Sequence, residues 1–506
     1  MIPVREITID SYHQALRSGN ATVLQAVQYY LQRCRAIDST LRALICINPH
    51  AEEIAKTMDE ELQHLLVSQD AFPVLFGVPV IVKDTYATAD MPTSVGCKSL
   101  AGFQTLHDAP VVSKIMAAGG LIFAKTNLHE LSCQGVTLSS LGGQTLNPYD
   151  LTRTPGGSSG GTAAALAANL GMVGCGGDTM NSIRSPASAC SIVGFRPTTG
   201  RISTIGIVPV SWTQDAIGPM GRTVADVGRL YAVMQDEGHI VSTGTGLTAK
   251  SPSKFSLKGL RIGVLENYFL SKPEELDETR QVREVISSAL KKLEERGVTL
   301  VPFENQNWAI QKLSTEMDVQ KFEFKQNLDD FFNSNRGNLS EIGFRPPDEE
   351  SILEQILQKD EFDHTALPPA TSMIHLATLA VTESGWTEEY QQRLQAIKQL
   401  KTSLASKFQE LNLDTFAYPH QTQLVVKTGN STQPNRNGLL ASLTGHPSLC
   451  LPAGFTAPSD DAPDGIPIGL ELLGKWGDDE NLLEIGELFE GVLQGRKEPK
   501  ISQEAM

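Results

Sequence analysis

Two glycine–serine loops and one lysine are the parts of this chain whose residue types could do chemistry. The first loop reads Thr154-Pro155-Gly156-Gly157-Ser158-Ser159-Gly160-Gly161-Thr162. After an Ala-rich run comes the second, Gly176-Gly177-Asp178-Thr179-Met180-Asn181-Ser182-Ile183-Arg184-Ser185-Pro186. Each carries a serine with little bulk around it. Glycine lets backbone approach closely and turn its N–H groups inward, and such a turn makes a nest of donors for a developing negative charge. Upstream, Phe76-Gly77-Val78-Pro79-Val80-Ile81-Val82-Lys83-Asp84 reads as a buried strand that ends on a lysine. A lysine after a strand is ordinarily a surface residue. An apolar approach instead pushes the amine toward its neutral form.

Three readings of the serines compete. An isolated Gly-Gly-Ser-Ser-Gly-Gly is a flexible loop. Gly156-x-Ser158-x-Gly160 also fits a nucleophile elbow, with Ser158 attacking and an Asp and a His still to be found. An elbow serine should follow a β-branched strand, whereas Leu151-Thr152-Arg153-Thr154-Pro155 precedes this one, and Pro155 suits a strand poorly. No His/Asp pair stands out. The third reading makes Lys83 a base that acts through the two serines.

The elements around these loops alternate. Helical periods run over Asn20 to Asp38, Glu52 to Leu66 and Asp108 to Ala118, and a strand over Leu121 to Ala124. Thr162 to Asn169 reads as a short helix between the two loops, and Thr223 to Gln235 as an amphipathic one. Val193 to Pro197 and Ile207 to Val210 are short elements. His239 to Lys254 reads as a loop, Leu260 to Leu265 and Val298 to Pro302 as strands, and Gln281 to Arg296 as a helix stopped by Gly297. Residues 305–385 are polar and mostly helical, and Thr387 to Leu411 is a long helix. Phe416 to Pro419, Pro447 to Pro452 and Ile466 to Leu473 supply late strand pieces, and Asp479 to Leu493 a closing helix. Strand, helix and strand in alternation predict an α/β layered fold with a largely parallel sheet. With no repeat and no clear linker, the 506 residues are expected to form one domain, 1–506.

Composition removes several classes. The chain has 42 basic and 58 acidic residues, a net charge of −16, which disfavours non-specific binding to nucleic acid. Its N-terminus has no apolar signal core, and its apolar runs are too short to span a bilayer. Seven scattered cysteines without a C-x-x-C pair fit a reducing, cytoplasmic setting. No cluster of Cys and His suggests a metal site.

The Gly77 to Asp84 strand, the Gly156 to Gly161 loop and Asp178-Thr179-x-x-Ser182-Ile183-Arg184-x-Pro186 resemble the amidase signature family. Lys83 precedes Ser158 by 75 residues and Ser182 follows it by 24, which is similar to that family's Ser-Ser-Lys spacing. The likeness continues at Asn147-Pro148, Gly194-Phe195-Arg196-Pro197-Thr198 and Gly218-Pro219-Met220-x-Arg222. It returns at Thr444-Gly445-His446-Pro447, Pro452-Ala453-Gly454 and Pro467-Ile468-Gly469, and is weak from about 240 to 430.

The resemblance implies a large mixed central sheet covered by helices on both faces. It implies hydrolysis of a carboxylic amide, or an ester, of a small molecule, with no cofactor and no metal. Ser182 would be acylated, Ser158, whose peptide bond is typically cis in the family, would pass the proton, and Lys83 would be the final base. Bringing a lysine from roughly 10.4 to about 7 costs about 4–5 kcal/mol, so the amine needs apolar walls. Asp178 and Arg184 would hold the loop, and the backbone N–H groups of Thr179, Met180, Asn181 and Ser182 would form the oxyanion hole.

Two departures stand out. Met180-Asn181 replaces the family's common Gly-Gly, which is expected to strain the turn and to narrow the acyl pocket or add a hydrogen bond to it, with lost hydrolysis as the alternative. Thr85 stands where Asn is frequent. The variable 305–430 stretch is the expected source of pocket walls. A glutaminase-type subunit of a tRNA amidotransferase, an amide-forming acyltransferase and a non-catalytic interaction protein stay open as alternatives, and so does a homodimer.

Overall fold

The computed structural model describes residues 5–68, 71–236, 255–269, 277–368 and 388–501. Strands form at Leu44–Ile47 (β1), Pro79–Lys83 (β2), Leu121–Thr126 (β3), Leu138–Ser139 (β4), Gly143–Gln144 (β5), Val173–Asp178 (β6), Val193–Arg196 (β7), Ala216–Gly221 (β8), Arg261–Leu265 (β9), Thr299–Phe303 (β10), Thr415–Pro419 (β11), Ser448–Phe455 (β12) and Pro467–Leu473 (β13). Apart from the small β4–β5 pair, they make one sheet in the order β1-β3-β2-β6-β8-β7-β12-β13-β11-β9-β10.

The sheet is mixed, not largely parallel. β3, β2 and β6 run parallel at one side, and β11, β9 and β10 at the other. Between them β6, β8, β7, β12, β13 and β11 pair antiparallel. Alternation of helix and strand marks the two wings except β6, whose glycines read as a loop, and it says nothing about the centre. All five residues of β2, all six of β3 and all seven of β13 are buried. Successive side chains point to opposite faces, so both faces of the sheet are covered.

Most helices fall within a few residues of their sequence expectation. Val23–Leu41 starts on a Thr22/Gln25 capping box, which satisfies two of its free N–H groups. Gln281 to Arg296 is observed as Asp277–Glu295, and Asp479–Leu493 is found as expected. Gly297 ends its helix at φ +96°. Ile207 to Val210 forms only a bridge from Ile207 to Tyr86. The His239 to Lys254 loop and the 369–385 part of the helical stretch lie outside the described residues. Among the elements that went unread are the helices Ile9–Arg17 and Arg184–Ala189 and the strands β1, β6 and β8. β8 hides behind Gly218-Pro219, which reads as a turn. Gly218 is needed there because a Cβ would stand 2.1 Å from the Phe195 carbonyl oxygen of β7.

The main core lies between the sheet and its helices. A second apolar cluster joins Val95, Cys97 and Phe103 to Phe324, Phe331 and Ile352. A third joins Leu265, Trp308 and Tyr390 to Phe408, Tyr418 and Leu440. The helix between the serine loops, Gly160–Ala167, is buried along its whole length. It fits because Gly161 has no side chain: a Cβ there would lie 2.2 Å from the Asn127 carbonyl oxygen. Gly161→Ala should therefore destabilise the chain by about 1–3 kcal/mol, measured as a lower urea midpoint. An unchanged midpoint would mean that the strand-to-helix contact is looser than described.

Candidate active site

The Ser158 loop is shaped by glycines and by one threonine. Gly156 sits at φ +72°, and the Gly157–Ser158 peptide bond is cis. Thr137 Oγ1 donates to Gly156 O at 2.7 Å and accepts from Gly160 N at 3.1 Å. The Ser158 carbonyl accepts from His129 N at 3.0 Å. These bonds leave the fully buried Ser158 side chain facing the end of β2. There Lys83 Nζ donates to Ser158 Oγ at 2.7 Å. The next residue ties the two loops together: Ser159 N donates to Ser182 O at 3.2 Å, and Ser159 Oγ to Gly177 O at 3.2 Å. Ser182 is slightly more open than Ser158, at 8 % exposure.

Two buried lysines lie in this region, and their surroundings differ. Lys125 Nζ reaches the Tyr86 and Pro92 carbonyls, the hydroxyls of Thr88 and Thr93, and the Asp84 carboxylate at 3.3 Å. Its donors are saturated, which marks it as a structural lysine, although burial lowers its pKa as well. Among the described residues, the amine of Lys83 bonds only to Ser158. Burial lowers the Lys83 pKa to about 7, against the opposing pull of Asp215 and Asp178. Neither carboxylate is free to hold the proton on the amine. Asp215 is occupied by Thr179 Oγ1 at 2.6 Å and by the N–H groups of Val210 and Ser211. Asp178 is committed to two arginines.

That commitment fixes the Ser182 loop. Asp178 closes β6 and accepts from Ile183 N at 3.0 Å, Arg184 Nε at 3.0 Å, Arg184 Nη2 at 2.9 Å and Arg196 Nη1 at 3.3 Å. Burial would raise its carboxyl, but Arg184 and Arg196 outweigh it and hold the group well below the carboxylate range. Arg184 also donates to Met180 O at 2.8 Å, Ser442 Oγ at 2.9 Å and Gly438 O at 2.9 Å, and pairs with Glu471 on β13. Glu471 accepts from Tyr418 and Ser448 and meets His420 Nδ1 at 2.6 Å. Burial opposes its charge as well, yet Arg184 and His420 bring it to about 2.

With the carbonyl of Met180 and its neighbours so tied, the N–H groups of Met180, Asn181 and Ser182 meet no protein acceptor among the described residues. Three consecutive donors thus stand free beside Ser182. Neither Met180 nor Asn181 has positive φ, so the strain expected from replacing Gly-Gly is absent. The Asn181 carboxamide oxygen accepts from Gly438 N at 3.0 Å, which spends it inside the protein. Met180 is half-buried and packs on the third apolar cluster, which links the loop to the 305–430 stretch. Thr85 Oγ1 is buried without a protein partner. A cavity of about 20 Å³, the size of one water, is bounded by Lys83, Thr85, Ser132, Asp178, Thr179 and Asp215.

The structure thus brings Lys83, Ser158 and the Ser182 loop into one buried neighbourhood, with Asp178 and Arg184 beneath it. Reasoning from sequence passed over Arg196, Asp215, His420 and Glu471. A signal existed for Glu471, the single charge in the apolar run Ile466 to Leu473. Arg196 sat inside a recognised motif without a role.

A lysine–serine pair beside free backbone donors is equipment for acyl chemistry. The sequence profile of the amidase family matches residues 25–483, and the chain belongs to that family, the amidase signature enzymes, which makes it a hydrolase of carbon–nitrogen bonds. It is 31% identical to a glutamyl-tRNA(Gln) amidotransferase subunit of Chloroflexus aggregans, with 97% of each chain covered. It superimposes on the peptide amidase of Stenotrophomonas maltophilia with a TM-score of 0.80 and 28% identity, covering 98% of this chain and 99% of that one. An amidase family protein of Bacillus anthracis gives a TM-score of 0.79 and 27% identity, over 98% and 92%. Among the described residues, no helix is long and apolar enough to cross a membrane.

Removing one member of the buried pair leaves the other charge uncompensated. Glu471→Leu should cost about 3–5 kcal/mol of stability, read as a lower denaturation midpoint. A midpoint equal to the parent's would show that Arg184 is fully satisfied by Asp178 alone.

Proposed function

We propose that the chain hydrolyses a small-molecule carboxylic amide through an acyl-enzyme on Ser182. In this reading the neutral Lys83 amine takes the Ser158 proton while Ser158 takes the proton of Ser182, whose oxygen attacks the amide carbonyl. The N–H groups of Met180, Asn181 and Ser182, with Thr179, receive the oxyanion. The proton returns by the same route to the departing nitrogen, and water then opens the ester. Asp178 and Arg184 act as positioning residues. The observation that carries this reading is the 2.7 Å contact of Lys83 with Ser158 in surroundings that bring the amine to about 7. A serine hydroxyl needs such a base before it attacks.

A second reading, a glutaminase that works within an assembly of partner chains, is favoured by the 31% identity to the amidotransferase of Chloroflexus aggregans. A lone active protein would exclude it, and products formed with added amines would separate hydrolysis from acyl transfer.

The test is labelling with a serine-reactive phosphonate and mapping of the adduct. Ser182 should be modified in the parent, and Lys83→Ala should slow both labelling and amide hydrolysis by about 10²–10⁴-fold. An adduct on Ser158 would restore the elbow reading. The base works only when deprotonated, so kcat/KM should rise with pH through an inflection near about 7 and fall as Lys83 is protonated below it. A flat profile from pH 6 to 9, obtained with the intact protein, would remove Lys83 as the base.

A further inference from the structure

Among the described residues, a cation beside the serine loops forms no ion pair. Arg436 lies on the segment between β11 and β12, where its backbone bridges to Gln421. Its half-buried guanidinium rests on Gly135: a Cβ built there would fall 2.3 Å from Nη1 and 2.8 Å from Cζ. Gly135 backs in turn onto Gly157, whose ideal Cβ would lie 3.0 Å from the Gly135 carbonyl carbon. The guanidinium is therefore one backbone layer from the Gly157–Ser158 peptide. His129, which donates to the Ser158 carbonyl, is held at about 4 chiefly by burial, and both Arg436 and Lys83 act on it as like charges. All three groups share one neighbourhood.

The other buried guanidiniums are partnered. Arg153, Arg184 and Arg196 each meet a carboxylate, and Arg222 ends on the carbonyls of Gly171 and Ile7. Among the described residues the side chain of Arg436 has neither an ion pair nor a hydrogen bond. The carboxylate that acts on it is Asp178, already spent on Arg184 and Arg196. Burial lowers Arg436 only to about 10, so it is charged at neutral pH. The half-buried guanidinium keeps its donors open, and a guanidinium offers a planar fork that fits a carboxylate through two parallel bonds.

We propose that Arg436 receives a carboxylate of the substrate, so that the preferred amide carries an anionic group close to the scissile bond. This rests on the Ser182 acyl-enzyme reading and narrows its substrate class. The carboxylate can belong to the acyl half or to the departing amine, and the test separates the two.

Primary amides with a terminal carboxylate on the acyl chain are compared with amides of equal length that end in a methyl group. A parallel series carries the carboxylate or the methyl on the amine half. For the full-length parent, Arg436→Gln and Arg436→Lys, kcat and KM are measured on each pair. The parent should prefer the charged member of one series. Arg436→Gln should reduce that charged-to-neutral ratio of kcat/KM by roughly 10- to 100-fold, mainly through KM, and Arg436→Lys should restore part of it. Equal losses on charged and neutral members, or a parent with no preference in either series, would overturn the proposal. Phosphonate labelling of the parent keeps the two claims apart: labelling at Ser182 with no carboxylate preference sinks the substrate class alone, whereas absent labelling sinks the acyl-enzyme reading beneath it.

Discussion

An amine that is to accept a proton at neutral pH must be kept from holding one already. On the proposed reading Lys83 meets this constraint by burial at the end of β2, where, among the described residues, its nitrogen bonds a single hydroxyl and the two carboxylates acting on it have their charge used elsewhere. Lys125 is the built-in contrast. It is just as buried and sits on the neighbouring strand, but four oxygens and Asp84 surround it. The number of acceptors around each nitrogen, more than its depth, separates a structural lysine from one able to act as a base.

The second requirement is a loop that holds its amide donors outward. Backbone N–H groups usually find partners, so three consecutive free ones have to be enforced from below. The buried chain Asp178–Arg184–Glu471, with Arg196 and His420 at its ends, does this by tying down the carbonyl of Met180 and the N–H of Ile183. Buried ion pairs contribute little net stability compared with apolar packing, but they specify geometry. Here the geometry is what the site needs.

Much of this was legible in the residues. The apolar run to Lys83 and the glycine loops marked the lysine and the serines as candidates, and the resemblance in their spacing chose among the three readings. Most of the wings was legible as well, since strand and helix periods alternate there, but the glycines of β6 read as a loop. β8 was not, because its glycine is explained by the close approach of β7, a contact between separate strands that no local pattern encodes. Glu471 and His420 were also unreadable as partners of Arg184, since their roles arise only when β11 and β13 lie beside the loop. The Met180-Asn181 replacement looked strained from sequence, yet the turn needs no left-handed backbone at either position.

The pair formed by Arg184 and Glu471 joins positions 287 residues apart. The Lys83 and Ser158 segments leave the ribosome long before the strand that completes the clamp. A nascent or truncated chain can thus own every reactive side chain and still lack the loop setting that would arm them. On the proposed mechanism, competence waits for β13, the last strand to be synthesised, and the order of synthesis then supplies a safeguard against an unfinished chain attacking whatever amide it meets.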